Sequence, residues 1–350
     1  MSGLHVAVPT ARLEADPASG AGRVWTSVLE RLRRRGVRIT PREPRRPRLL
    51  RRRSRPDVWL VPGDVGALDV DEPVVAVVHG AAWPVEDSFH DYVPREFAEG
   101  MIAAVERTLP AAAAVIVPSE YTRRGLEAGY GLGADRVFVV PHGVDAQVFS
   151  PAARGGEALA EEAFDRPLPY VLFASIPSIQ QKNLPALREA MGALAARGLP
   201  HGLVIAGGTA GGESAAELDA VGAELPGAPG RVAWLGHVDD ARLAALMAGC
   251  DAFCLPSLFE SFGLTALEAM ACGAPVVVSD RGALPEVVAD AALVTEPTAA
   301  ALAAALERVL GDRDLAAKLG AAGRARAETM TWERTAEGWL AVLRRAAGFK

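Results

Sequence analysis

Short apolar runs recur along the chain at 4–9, 37–40, 58–61, 74–78, 115–117, 136–140, 170–174, 203–208, 232–235, 252–255 and 276–278. Each is too brief for a helix, and several are continuously apolar rather than alternating, which predicts strands covered on both faces. Between them the spacing changes to the helical period. Val24, Val28, Leu29 and Leu32 fall on one helical stripe, as do Leu264, Leu267, Met270 and Ala271. Ser119 ahead of Glu120 reads as a helix N-cap, and the Ala-rich stretch 297–326 reads as helix. Strands alternating with helices predict an α/β protein built on parallel sheets.

The densest of these units is LPSLFESFGLTALEAMACGAPVVVSD, Leu255 to Asp280. A buried strand ends at Leu255, the chain turns at Pro256 and Ser257, and a helix begins after Gly263. Gly273-Ala274-Pro275 stops that helix, and the Val276-Val277-Val278 run starts the next parallel strand. The first N–H groups of a helix lack intrahelical partners and sit at the positive end of its dipole, so the helix start around Gly263 suits an anionic phosphate. Glu260 lies just before the helix and Glu268 within it. Eight helical steps span roughly 12 Å, a distance that fits a nucleotide sugar with one carboxylate on ribose hydroxyls and the other on sugar hydroxyls.

With strand, ESFG turn, helix and CGAPVV stop in this order, the stretch resembles the signature of the retaining glycosyltransferases of family 4, the large sucrose-synthase and mannosyltransferase family. VVPHGVDAQVFSP resembles the family's interdomain segment, LVIAGG its nucleotide-side strand and turn, RGALPEVVADAALVTEP the segment after the second glutamate, and MTWERTAEGWLAVLRRA its closing helix. The resemblance implies a GT-B fold, two Rossmann-like domains with parallel sheets facing across a cleft. The expected divisions are residues 1–149 for an acceptor domain, 150–169 for a linker, 170–330 for a nucleotide-sugar domain and 331–350 for a helix returning to the first domain.

The resemblance also assigns residues. SIPSIQQKN resembles the family's lysine loop, so Lys182 is expected on the donor diphosphate, with Gln181 standing where an arginine is common. Glu260 and His79, which ends the 74–78 strand before Gly80, are expected near the transferred sugar, and with Lys182 they form the catalytic set. Gly207, Gly208, Ser261, Phe262, Gly263, Leu264 and Glu268 are expected to bind the donor. SGAGR resembles the family's GIGRY loop and adds Gly20 and Gly22. Its glycines lie about ten residues past the first strand, and Trp25 stands where a third glycine is needed, which excludes a dinucleotide fingerprint. Trp83, Phe89, His90 and Tyr92 are the expected acceptor residues. His142 stands where the family has asparagine.

Composition narrows the reading. Three cysteines, Cys250, Cys254 and Cys272, all in apolar patterns, predict buried thiols rather than a disulfide framework, and their spacing with His237 matches no zinc motif. Asp69-Val70-Asp71 matches the DxD of metal-dependent transferases but lies in a loop ahead of a strand, so no metal or other cofactor is expected. The net charge of −6 does not suggest a nucleic-acid binder. The segment 31–55 nevertheless holds 13 arginines against one glutamate, a strip suited to a solvated face or to peripheral contact with an anionic membrane. No apolar run reaches the roughly 18 residues needed to span a bilayer, so a cytoplasmic protein is expected, with the inner membrane face as a peripheral site.

The expected function is retaining transfer of a hexose from GDP-mannose or a UDP-sugar to a hydroxyl of a lipid-linked or small-molecule acceptor. The alternatives are a nucleotide-sugar epimerase or hydrolase of the same architecture, and a sugar-nucleotide binding protein without activity.

Overall fold

The computed structural model describes residues 3–10, 20–42, 55–66, 68–79, 95–176, 180–208, 225 and 227–349. They form two compact units, one comprising Met1–Gly143 with Trp332–Lys350 and the other Val144–Thr331.

Unit 1 is built on six parallel strands: β1 (His5–Val8), β2 (Arg38–Pro41), β3 (Val58–Pro62), β4 (Val74–Val77), β5 (Ala114–Val117) and β6 (Val137–Val139), in the order β2-β1-β3-β4-β5-β6. The four inner strands are buried at every residue, whereas edge strand β2 is not buried at any, so the continuous apolar runs are those that receive cover on both faces. Helices α1 (Gly20–Arg34), α2 (Arg95–Thr108) and α3 (Glu120–Tyr130) belong to this unit. Ser119 caps α3 by accepting the Thr122 N–H at 3.1 Å, and Gly131 ends it in the left-handed region at φ 61°.

Unit 2 begins with α4 (Gly156–Phe164) and continues through β7 (Tyr170–Ala174), α5 (Leu184–Ala196), β8 (Gly202–Ala206), β9 (Val232–Trp234), α6 (Asp240–Gly249) and β10 (Ala252–Leu255). It closes with α7 (Leu264–Ala271), β11 (Val276–Ser279), α8 (Leu284–Val288), β12 (Leu293–Thr295), α9 (Ala299–Gly311) and α10 (Arg313–Glu328). Its parallel sheet runs β12-β11-β10-β7-β8-β9. Renumbered from β7, this is the doubly wound order 3-2-1-4-5-6 of nucleotide-binding sheets.

One expectation changes here. Residues 150–169 are not simply a linker, because α4 packs on α6 so closely that a Cβ on Gly156 would lie 2.1 Å from the Ala245 carbonyl. Its Ala and Glu residues are strong helix formers, which the flanking Gly and Pro obscured. The stretch 297–326 is helical as expected and divides into two helices, because Asp312 accepts the N–H groups of Asp314 and Leu315, both at 3.0 Å, and so caps α10.

The last helix, α11 (Trp332–Ala346), packs on α1 and on β3, β4 and β5 of unit 1. Its buried face is Trp332, Thr335, Ala336, Trp339, Leu340, Val342 and Leu343, the i, i+3, i+4, i+7 stripe of an amphipathic helix. Thr335 donates to the Pro141 carbonyl at 2.9 Å, and Arg31 and Arg35 of α1 pair with Glu333 and Glu337 at 2.6 and 3.1 Å. Trp339 is fully buried and meets Trp25 edge to face, ring centroids 5.4 Å apart. Trp339→Ala should therefore destabilise the protein by about 3–5 kcal/mol. Urea unfolding followed by circular dichroism reads it, and an unchanged midpoint would show that unit 1 does not depend on α11.

Candidate active site

In the unit 2 sheet, β7 lies between β8 and β10, so strand order reverses at β7 and the loops leaving β7 and β10 part from one another. A crevice at the carboxyl ends of two such strands is where doubly wound sheets bind ligands. Lys182 is on the loop after β7 and Glu260 on the loop after β10. The Lys182 ammonium and Glu260 carboxylate form a short ion pair, and the Ser257 hydroxyl donates to the same Glu260 oxygen at 3.1 Å. Glu260 is only 8% exposed, and its charge is thus satisfied from two sides.

The two loops are tied together around this pair. Gln181 donates from Nε2 to the Phe259 carbonyl at 2.9 Å, and its own carbonyl accepts the Leu258 N–H at 2.7 Å. Asn183 donates to the carbonyls of Pro256 and Pro297 at 3.1 and 2.8 Å. It adopts φ 55°, a left-handed conformation that asparagine tolerates better than most side chains, and from there starts α5.

Gly263, at φ 95°, opens α7 with no side-chain cap. Its conformation favours glycine, and a Cβ there would displace a methyl group of the buried Leu284, 2.5 Å away. Gly282 is held just as tightly, since its Cβ would fall 2.2 Å from the Glu260 carbonyl, which accepts the Ala283 N–H at 2.8 Å. Ser261 and Leu264 are half-buried at the mouth of α7 and Phe262 is buried. Glu268, 3% exposed, is a carboxylate on α7 held out of bulk water. Gly207 follows β8 at φ 124°, against the Ser175 carbonyl, and its own carbonyl accepts the Trp234 indole N–H at 2.8 Å; Gly208 is half-buried beside it. Lys182, Glu260, Gly207, Gly208, Ser261 to Leu264 and Glu268 thus all belong to unit 2.

His79 belongs to unit 1, two residues past β4. Its ring lies 5.4 Å from His142, 6.1 Å from Trp25 and 6.3 Å from Trp339, and His142 lies 6.2 Å from Trp332. His142 is 5% exposed; burial, and then the nearby His79, hold it well below the ordinary histidine value. Gly20 and Gly22 lie in the first turn of α1, whose buried residues include Gly22, Val24 and Trp25. Trp83, Phe89, His90 and Tyr92 lie outside the described residues, as do Arg45 to Arg53 of the basic strip. Of the described arginines in the strip, Arg31, Arg34, Arg35 and Arg55 each have an acidic partner, which lowers the charge left for an anionic surface. Asp71 is the partner of Arg55, at 3.6 Å. The three cysteines are buried free thiols whose ionisation burial pushes up, and His237 is exposed. Among the described residues no helix is long and apolar enough to cross a membrane.

Comparison with known proteins bears on both units. The family model for Glycosyl transferases group 1 matches residues 161–326, and that for Glycosyltransferase Family 4 matches residues 5–148. The chain belongs to the group 1 glycosyltransferases. It is 34% identical over 260 residues to the alpha-maltose-1-phosphate synthase of Mycolicibacterium smegmatis, covering 69% of this chain and 66% of that protein. It is 35% identical over 298 residues to the D-inositol 3-phosphate glycosyltransferase of Nocardia farcinica, covering 81% and 64%. The chain therefore spans about two-thirds of the length of these relatives. Its fold matches a sucrose-phosphate synthase from Thermosynechococcus elongatus with TM-score 0.78 at 21% identity, over 98% of each chain. It also matches Anabaena HepE, solved in complex with UDP and glucose, with TM-score 0.70 at 16% identity, over 96% of this chain and 98% of that one. These are GT-B structures, and this group 1 glycosyltransferase has the GT-B fold.

Three contacts were not legible in the sequence: in unit 2 the Ser257 hydroxyl on Glu260 and the Gln181 and Asn183 ties, and in unit 1 the contact of His142 with His79. Gln181 and His142 left a signal, each as a departure from the family's residue, arginine in one case and asparagine in the other. The depressed pKa of His142 has a thermodynamic consequence. The folded state binds fewer protons than the unfolded chain, so this contribution is present above the unfolded value near 6.5 and is lost as pH falls below it. Burial also lowers His5 and His201, which act in the same direction. Stability should decrease from pH 7.5 to 5.5, and His142→Asn should flatten that slope by up to about 1.4 kcal/mol per pH unit. Urea midpoints across this range measure it; an identical slope in the variant would show that His142 titrates normally.

Proposed function

We propose that this group 1 glycosyltransferase moves a hexosyl group from a nucleoside diphosphate sugar to an acceptor hydroxyl, with retention at the anomeric carbon. The observation that carries the reading is the Lys182–Glu260 pair at the strand-order reversal, beside the uncapped start of α7. A diphosphate there would meet the Lys182 ammonium and the N–H groups around Gly263 and Leu264, all of which stabilise the negative charge that grows on the leaving group. Glu268 would accept hydrogen bonds from the ribose hydroxyls, and Glu260 from those of the sugar. The UDP and glucose in HepE support a nucleotide-sugar donor, and the names of the relatives fit a phosphorylated sugar or polyol as acceptor or product.

No carboxylate is assigned to the far face of the anomeric carbon, so a front-face displacement is the proposed course. The bond from anomeric carbon to diphosphate oxygen breaks as the acceptor oxygen attacks the same face, and the departing phosphate oxygen takes the acceptor proton. Of the two donor classes, GDP-mannose is proposed over UDP-sugars on the resemblance to the mannosyltransferase branch. The direct test is incubation with GDP-mannose or UDP-glucose and a mixture of sugar and polyol phosphates. Free GDP or UDP should appear together with a glycosylated product, whose anomeric configuration by NMR should match the donor's. Nucleotide release without acceptor would mean a hydrolase, and a changed donor sugar without release would mean an epimerase.

Glu268→Ala should weaken binding of GDP or UDP by about 10- to 150-fold, the equivalent of losing a charged hydrogen bond of about 1.5–3 kcal/mol. Calorimetry reads it, and unchanged affinity would remove Glu268 from the ribose. Because an ammonium and a helix N-terminus are proposed to balance the diphosphate, activity should survive excess EDTA. Complete loss, restored by a divalent metal, would return Asp69 and Asp71 to consideration.

A further inference from the structure

Gln181 sits beside the proposed diphosphate lysine, in the turn where a second cation would help most, yet the side chain is turned away from that task. It is 8% exposed, and its Nε2 donates to the Phe259 carbonyl, an acceptor that fixes which end of the amide points there. Its backbone carbonyl holds Leu258. Two residues on, Asn183 donates to Pro256 and Pro297. Residues 181 and 183 thus grip the loop after β10 on either side of Lys182, the residue between them, which pairs with Glu260 from that same loop.

We propose that Gln181 is a positioning residue that locks the 180–183 turn to the 256–260 loop, setting Lys182 against Glu260 and leaving Lys182 as the only side-chain cation that this turn offers a diphosphate. The proposal rests on the nucleotide-sugar reading of the site. An arginine at 181 could not take over this place. Its guanidinium is larger, permanently charged and would face a single carbonyl in a buried position, so it would push the two loops apart.

The experiment compares Gln181→Met, which keeps the length of the side chain and removes the donor, with Gln181→Arg. Affinities are measured for UDP and GDP and, in parallel, for uridine and guanosine. Both variants should bind the diphosphates about tenfold more weakly, the loss of one buried hydrogen bond's worth of positioning, and the nucleosides as tightly as the parent. Tighter diphosphate binding by Gln181→Arg would overturn the proposal, since the side chain would then face the donor. An equal loss for diphosphate and nucleoside would also overturn it, because the effect would not run through Lys182. Amide exchange at Leu258 gives an arm that needs no nucleotide: faster exchange in Gln181→Met supports the lock, and unchanged exchange overturns it. A parent protein that bound neither UDP nor GDP would defeat the nucleotide-sugar reading, while the exchange result would still decide the role of Gln181.

Discussion

The reversal of strand order at β7 is the constraint on which the rest of the site depends. With β8 on one side and β10 on the other, the chains leaving β7 and β10 run to opposite faces of the sheet, and no connection closes the gap between their carboxyl ends. Backbone groups that a continuous fold would pair must find other partners in such a gap. Here they are supplied by side chains of one short turn. Gln181 and Asn183 satisfy three carbonyls of neighbouring loops, and the backbone of Gln181 takes up the Leu258 N–H. The same geometry that stabilises the crevice also fixes where a charge within it can point.

The glycines around α7 follow from this closeness. Gly263 and Gly282 both adopt positive φ and both have a neighbour where a Cβ would be, Leu284 in one case and the Glu260 backbone in the other. A side chain at Gly282 would shift the very loop that carries Glu260. The start of α7 is therefore kept free of side-chain caps while its surroundings are packed tightly, which leaves helix N–H groups directed at whatever occupies the crevice.

What the sequence disclosed and what it hid divide along physical lines. Continuous apolar runs such as 170–174 and 252–255 mark inner parallel strands, because such strands are buried on both faces and nothing else so short is uniformly apolar. Glu260, Gly263 and Glu268 were legible because a strand, turn and helix in fixed order leave few placements for them. The α4 helix was hidden by flanking Gly and Pro, and the capping role of Asp312 by the Ala-rich pattern on both sides of it. Gln181 was read only as a missing arginine. Its partner, the Phe259 carbonyl, is 78 residues away and is a backbone atom, for which residue identity carries no signal. His142 was hidden for a similar reason: it meets His79 only because β5 lies between β4 and β6 in the sheet.

If the proposed function holds, the Lys182–Glu260 pair would also give an energetic reason for recognising a whole nucleotide sugar rather than its parts. A largely buried carboxylate is costly to leave unpaired, and Lys182 and Ser257 satisfy it. On the proposed reading, a diphosphate competes for Lys182. A nucleoside diphosphate alone would draw the ammonium away and leave Glu260 with the Ser257 hydroxyl as its remaining partner of these two. A nucleotide sugar brings its own hydroxyls to the carboxylate as it takes the lysine, so both charges exchange one partner for another. The penalty falls on the product nucleotide and not on the donor. On that reading, release after transfer would be favoured by the same pair that would hold the donor, and both would depend on the turn that keeps Lys182 opposite Glu260.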